Sequence, residues 1–182
     1  MKSALVIIDM QMLMQHRIEA GRDHVNGDAP DKVAALARAF RQNGDAVIHI
    51  RHRDDDLASP LHLDAPGFQP MSCAEELESE PVFFKTTSSG FSSTELEGYL
   101  RTNDIDSLVV TGAVASFCVS STVRAGADLG FKMRVVRDAV IGFDLPGENL
   151  SARTIFDVTM AQLKSDFADI VDTAVVLSAT DR

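Results

Sequence analysis

The sequence predicts an α/β fold in which a parallel sheet is covered by helices on both faces. Two observations predict it. Short β-branched apolar runs alternate with amphipathic stretches from end to end, the pattern of repeated strand–helix units. The first run, Ala4-Leu5-Val6-Ile7-Ile8, is apolar throughout, as a strand buried on both faces must be. The chain has 182 residues, with no repeat, low-complexity segment or linker, so residues 1–182 form a single domain.

The elements follow in order. Residues 5–8 read as the first strand. Residues 31–43 place Val33, Leu36, Ala37 and Phe40 at helical spacing, with Pro30 at the start and Gly44 at the end. Residues 46–50 are a second strand. Residues 51–80, polar and broken by Pro60, Pro66 and Pro70, read as a long loop with a helical turn near 73–77. Residues 82–84 form a third strand that ends at Lys85. Ser92-Ser93-Thr94-Glu95 has the spacing of a capping box before a helix carrying Leu96, Tyr99 and Leu100. A fourth strand, 108–111, leads to a helix over 119–129 that Gly130 closes. Residues 134–136 are a fifth strand, 150–163 a helix, and 173–177 a last strand.

Composition excludes several function classes. The 17 basic side chains are outnumbered by 27 acidic ones, giving a net charge of −10. Nucleic acid and anionic membranes are therefore not expected partners. Two cysteines, Cys73 and Cys118, make no disulfide framework, which points to a reducing, cytoplasmic setting. The apolar opening is too short for a signal peptide or a membrane span. No two glycines stand two apart and no Gly-Lys-Ser/Thr occurs, so neither a dinucleotide fingerprint nor a P-loop is present. Gly-x-Ser-x-Gly is absent too.

Parallel sheets bind ligands beyond the carboxyl ends of their strands. Asp9 ends the first strand, Lys85 ends the third, and Cys118 opens the helix after the fourth. A carboxylate, an ammonium and a thiol thus meet at one sheet edge. A helix N-terminus and a nearby cation are expected to lower a thiol's pKa. Asp9 then serves as base, Lys85 as its partner, and turn N–H groups as an oxyanion hole. That set suits acyl transfer through a thioester to a small-molecule substrate.

Three segments carry a resemblance. Residues 4–11, ending Asp9-Met10-Gln11, resemble the N-terminal motif of the isochorismatase-like cysteine hydrolases. Residues 84–91, Phe84-Lys85-Thr86-Thr87-Ser88-Ser89-Gly90-Phe91, resemble that family's lysine motif. Residues 111–139, from Thr111-Gly112-Ala113-Val114 through Cys118 to Asp138-Ala139, resemble its nucleophile segment. The resemblance implies a six-stranded parallel sheet in a Rossmann-like three-layer sandwich. It implies a catalytic triad of Asp9, Lys85 and Cys118, a cis bond between Ala113 and Val114, and oxyanion donors at Val114 and Cys118. It also implies a homodimer or homotetramer and hydrolysis of a carboxamide or related C–N bond. Vinyl-ether hydrolysis driven by Asp9, and a non-catalytic binding protein of the same fold, are the alternatives.

Other residues receive weaker assignments. Gln11, Phe91 and Phe117 are candidates for substrate binding, with Phe83 and Phe143 as further pocket or core aromatics. Nicotinamidases, one branch of the family, hold a metal on an Asp-x-His pair after the second strand and a later His. Here His52-Arg53-Asp54 reverses that order, with His62 beyond, and these read as loop residues; no metal or cofactor is expected. His49 reads as a core or lid residue, Ser116 as a helix cap and Cys73 as a bystander. His16 and His24 lie in a polar stretch and carry no signal. The Asp54-Asp55-Asp56 run reads as solvated loop.

Overall fold

A computed structural model describes residues 2–180. Six strands run parallel in the order β7–β6–β5–β1–β3–β4: β1 (Lys2–Ile8), β3 (Ala46–His52), β4 (Val82–Lys85), β5 (Ile105–Ala113), β6 (Lys132–Phe143) and β7 (Asp169–Val171). A two-residue strand, β2 (His24–Val25), adds to the far end of β6 in the antiparallel sense and makes a seventh. The chain winds outward from β1 through β3 to β4, then returns to the other side of β1 with β5. The strand order therefore reverses at β1, where a ligand crevice forms in such sheets.

Side-chain parity divides the core. Val6, Ile8, Ile48, Ile50, Leu108 and Val110 pack on one face with α3 (Leu96–Thr102), α4 (Ser120–Asp128) and α5 (Ala152–Asp166). Leu5, Ile7, Val47 and Val109 pack on the other with α2 (Ala29–Asn43) and α6 (Thr173–Thr180). Both faces of β1 are buried, which is why its sequence shows no polar alternation. Among the described residues no helix is long and apolar enough to cross a membrane.

Several expectations need correcting. Thr173-Ala174-Val175-Val176-Leu177 looks like a strand by its β-branched content, yet it is helix α6, and the last strand is Asp169–Val171 just before it. Asp138 decides the matter: its Oδ1 accepts hydrogen bonds from the Thr173 N–H at 2.8 Å and the Thr173 hydroxyl at 2.9 Å, which starts a helix there. A further helix, α1 (Met12–Glu19), lies where the sequence shows only a polar stretch; only Met14 on it is buried, so it carries almost no amphipathic signal. No capping box forms at Ser92–Glu95. Instead the Thr94 hydroxyl accepts from the Leu96 N–H at 3.1 Å and donates to the Gly90 carbonyl at 2.5 Å. The helix expected from Val119 is preceded by a π-helical turn, Ala115–Val119, which contains Ser116 and has no side-chain cap.

The loop over 51–80 is fastened to the α2 face of the sheet by Glu80. Its carboxylate accepts from Arg41 Nε and Nη2 at 2.7 and 2.8 Å, from the Leu77 N–H at 3.0 Å, and pairs with His49 Nε2 at 2.9 Å. Burial alone would raise the Glu80 pKa; the Arg41, Leu77 and His49 contacts outweigh it and hold the carboxyl at about 2, against 4.5 unperturbed. A depressed carboxyl pKa stabilises the fold above the unfolded value and loses that contribution as pH falls towards the folded one. From this shift, acidification from pH 4.5 to 2 is expected to remove on the order of 3 kcal/mol. Glu80→Gln should flatten that part of the stability curve, measured by urea unfolding at stepped pH; an unchanged slope would refute the role given to Glu80.

Candidate active site

Four strand ends supply the polar groups beyond the carboxyl edge. Asp9 follows β1 in a left-handed conformation, φ 49°, which Asp tolerates better than most residues. Its N–H donates to the Ile50 carbonyl at 2.8 Å and its own carbonyl accepts from the Gln11 N–H at 2.8 Å. That turn swings the carboxylate into the interior, where the residue is 2% exposed. Lys85, the last residue of β4, is fully buried. It stands directly opposite His52, the last residue of β3, in parallel register.

The Lys85 ammonium is the centre of the site. Nζ lies 2.8 Å from Asp9 Oδ2, 3.0 Å from His52 Nδ1, 3.1 Å from the Thr87 carbonyl and 3.2 Å from Cys118 Sγ. Asp9 divides its two oxygens: Oδ2 takes the ammonium, while Oδ1 is buried with no hydrogen-bond partner. Asp9, His52 and Cys118 each present a ligand-type atom, all within 4.8 Å of one another. They share a cation, and it is the Lys85 ammonium.

Cys118 sits in the π-helical turn. The approach to that turn is a close one. At Gly112, φ 124°, a Cβ would lie 2.0 Å from the Ile8 carbonyl oxygen, so only glycine lets β5 pass β1 here. The Ala113–Val114 peptide that follows is cis. The Val114 carbonyl then accepts from the N–H groups of Phe117 at 3.1 Å and Val119 at 3.3 Å. The thiol is not lowered as the sequence suggested. Burial pushes it up, the Asp9 charge adds to that, and Lys85 opposes without prevailing, leaving it at about 12. Cys118 therefore rests as a neutral thiol.

A family model described as the isochorismatase domain matches residues 3–174. The chain belongs to the isochorismatase family. It is 31% identical over 175 residues to the uncharacterized isochorismatase family protein YrdC of Bacillus subtilis, covering 94% of this chain and 92% of that one. It is 33% identical over 104 residues to the N-carbamoylsarcosine amidase of Arthrobacter sp, covering 57% of this chain and 36% of that one. A solved structure from Chromobacterium violaceum, described as a hydrolase of the isochorismatase family, matches with a TM-score of 0.92 at 30% identity, covering 99% of this chain and 94% of that one.

In this isochorismatase-family hydrolase the remaining candidates sort by position. Gln11 is fully buried, and its amide is consumed by backbone: Nε2 donates to the carbonyls of His52 at 3.0 Å and Phe68 at 2.9 Å, and Oε1 accepts from the His52 N–H at 2.9 Å. It clasps the end of β3, with both its amide nitrogen and its oxygen engaged by backbone. Phe91 is stacked on Phe131 at 5.7 Å in the core. Phe83 packs against Tyr99, and Phe143 is 3% exposed. Phe117, beside the thiol, is 51% exposed. His49 is buried on Glu80, and Cys73, pushed up to about 12 by burial, lies in the core against α2. Asp54 bonds to His52 Nε2 at 3.0 Å and to the Ser59 hydroxyl at 2.6 Å, while His62 Nδ1 accepts the Asp64 N–H at 3.3 Å. Of the three expected loop residues, only His52 enters the site, through a contact the sequence reading missed. Its signal was parity: Ile48, Ile50 and His52 share one face of β3.

Proposed function

We propose that this hydrolase cleaves the C–N bond of a small carboxamide through a thioester on Cys118. The observation that carries the reading is the free Asp9 Oδ1, a buried, unpartnered acceptor beside a neutral thiol. A buried acceptor left unmade is costly, and a group that receives a proton during the reaction repays that cost. The Lys85 ammonium, 2.8 Å from Oδ2, holds the carboxyl group in place beside the thiol.

The cycle balances with these residues. Asp9 takes the Cys118 proton as sulfur bonds to the amide carbon. The oxyanion forms against the N–H groups of Val114 and Cys118. Asp9 then passes the proton to nitrogen, the C–N bond breaks, and ammonia or an amine leaves. Water attacks the thioester while Asp9 takes its proton. The carboxylic acid departs, and Asp9 reprotonates the sulfur. The name of the amidase relative supports the C–N bond as the target.

Ammonia release from a panel of aliphatic and aromatic primary carboxamides tests this, with acid-quenched enzyme weighed by mass spectrometry. An acyl adduct on Cys118, and turnover lost by at least about a thousandfold in Cys118→Ser, are expected. Turnover that survives Cys118→Ser would move the chemistry to Asp9 alone, as in vinyl-ether hydrolysis.

A further inference from the structure

Lys85 has four neighbours and three protons. Asp9 Oδ2 and the Thr87 carbonyl are acceptors only, so each claims one. The third is contested by His52 Nδ1 at 3.0 Å and Cys118 Sγ at 3.2 Å. A neutral thiol is a weak acceptor and an imidazole nitrogen a good one. The imidazole is also held in the orientation that wins. Its Nε2 lies 3.0 Å from Asp54 Oδ1, which keeps the ring proton on that side and turns the Nδ1 lone pair towards Lys85. Asp54 is itself fixed by the Ser59 hydroxyl. The backbone of His52 is gripped at both N–H and carbonyl by Gln11. The charged and titratable groups facing His52 are thus Lys85, Asp54, Asp9 and Cys118.

We propose that His52, oriented by Asp54, is a positioning residue that diverts the third Lys85 proton away from Cys118 until sulfur becomes anionic. At rest the ammonium serves Asp9, Thr87 and His52, and the thiol stays neutral. When Asp9 removes the thiol proton, the thiolate becomes the stronger acceptor and the same N–H turns from Nδ1 to Sγ. The pair guards the nucleophile between turnovers: an un-ionised thiol resists alkylation and oxidation. The inference rests on Cys118 being the nucleophile, but its test reads the thiol rather than turnover.

The experiment is the rate of Cys118 carbamidomethylation by iodoacetamide between about pH 6 and 10, located by peptide mass. In His52→Ala the third N–H passes to sulfur, so the profile should move to lower pH by about one unit. Alkylation at neutral pH then rises roughly tenfold. His52→Asn, whose side-chain oxygen can stand near Nδ1, should return the rate towards that of the unaltered protein. Asp54→Ala, which removes the acceptor at Nε2 and frees the ring, should shift the profile in the same direction as His52→Ala. Simple loosening of the site would not be reversed by asparagine. Profiles that stay put or move to higher pH in His52→Ala or in Asp54→Ala would overturn the proposal, as would His52→Asn behaving like alanine. An amide screen that finds no acyl adduct would instead strike at the thioester reading and leave these profiles to be judged separately.

Discussion

Asp9→Asn is expected to abolish amide turnover while making Cys118 more reactive towards iodoacetamide. The two effects have opposite sign because Asp9 does two things. In the proposed cycle it moves every proton as base and acid, and losing such a group costs roughly 100- to 10,000-fold. As a charge it raises the thiol pKa, second only to burial, while Lys85 lowers it. Removing the carboxylate leaves the Lys85 cation facing sulfur without a competing anion, so the thiol ionises at lower pH. Asparagine is the right probe, since it keeps the shape and tolerates the φ of 49° that alanine or glutamate would strain. Alkylation rates and ammonia release, measured on the same preparation, check the result. If alkylation slows along with turnover, Asp9 arms the thiol by holding its proton, and the assignment of a neutral resting sulfur fails.

Lys85→Met is expected to cost about 3–5 kcal/mol of stability, the range for removing one partner of a buried ion pair. Lys85 is fully buried and Asp9 is 2% exposed, so water does little to compensate either. Without the ammonium, Asp9 holds a buried charge with both oxygens unpaired, and His52, Thr87 and Cys118 lose their common donor. The double variant Asp9→Asn/Lys85→Met should recover a large part of the loss, since no isolated charge remains. Urea midpoints for the two single variants and the double variant close the cycle. Additive losses would show that the pair contributes no coupling and that Lys85 is held by its other contacts.

Asp9, Lys85 and Cys118 could be brought to one edge from the sequence because Asp9 follows β1, Lys85 ends β4 and Cys118 lies in the turn after β5. The central strands were legible for a related reason: over residues 4–8, β1 is buried on both faces and has no polar residue to blur it. His52 was misread as solvated loop, since β3 runs two residues further than the strand expected over 46–50; Asp54 does lie beyond the strand, and its bond to His52 was not foreseen. α6 was misread because its start depends on Asp138, a tertiary partner that local composition does not reveal. Gln11 was a candidate for substrate binding, but its amide bonds to backbone. The Phe68 carbonyl it binds lies across the long loop, and no spacing rule predicts that contact. The thiol's neutrality was missed because helix position and a nearby cation were weighed without burial, the largest influence on it.

The Asp9 carboxylate, the His52 imidazole, the Lys85 ammonium and the Cys118 thiol come from the ends of β1, β3, β4 and β5, and no two of them lie on the same strand. Their meeting depends on contacts distant in the chain, which form late and slowly. Catalytic competence on refolding should therefore lag behind recovery of helical signal and appear only as the central strands lock together. No fragment ending with β5 contains the thiol, and none beginning at α1 contains the carboxylate. Activity in this protein is thus a property of the finished sheet, and a sensitive clock for its completion.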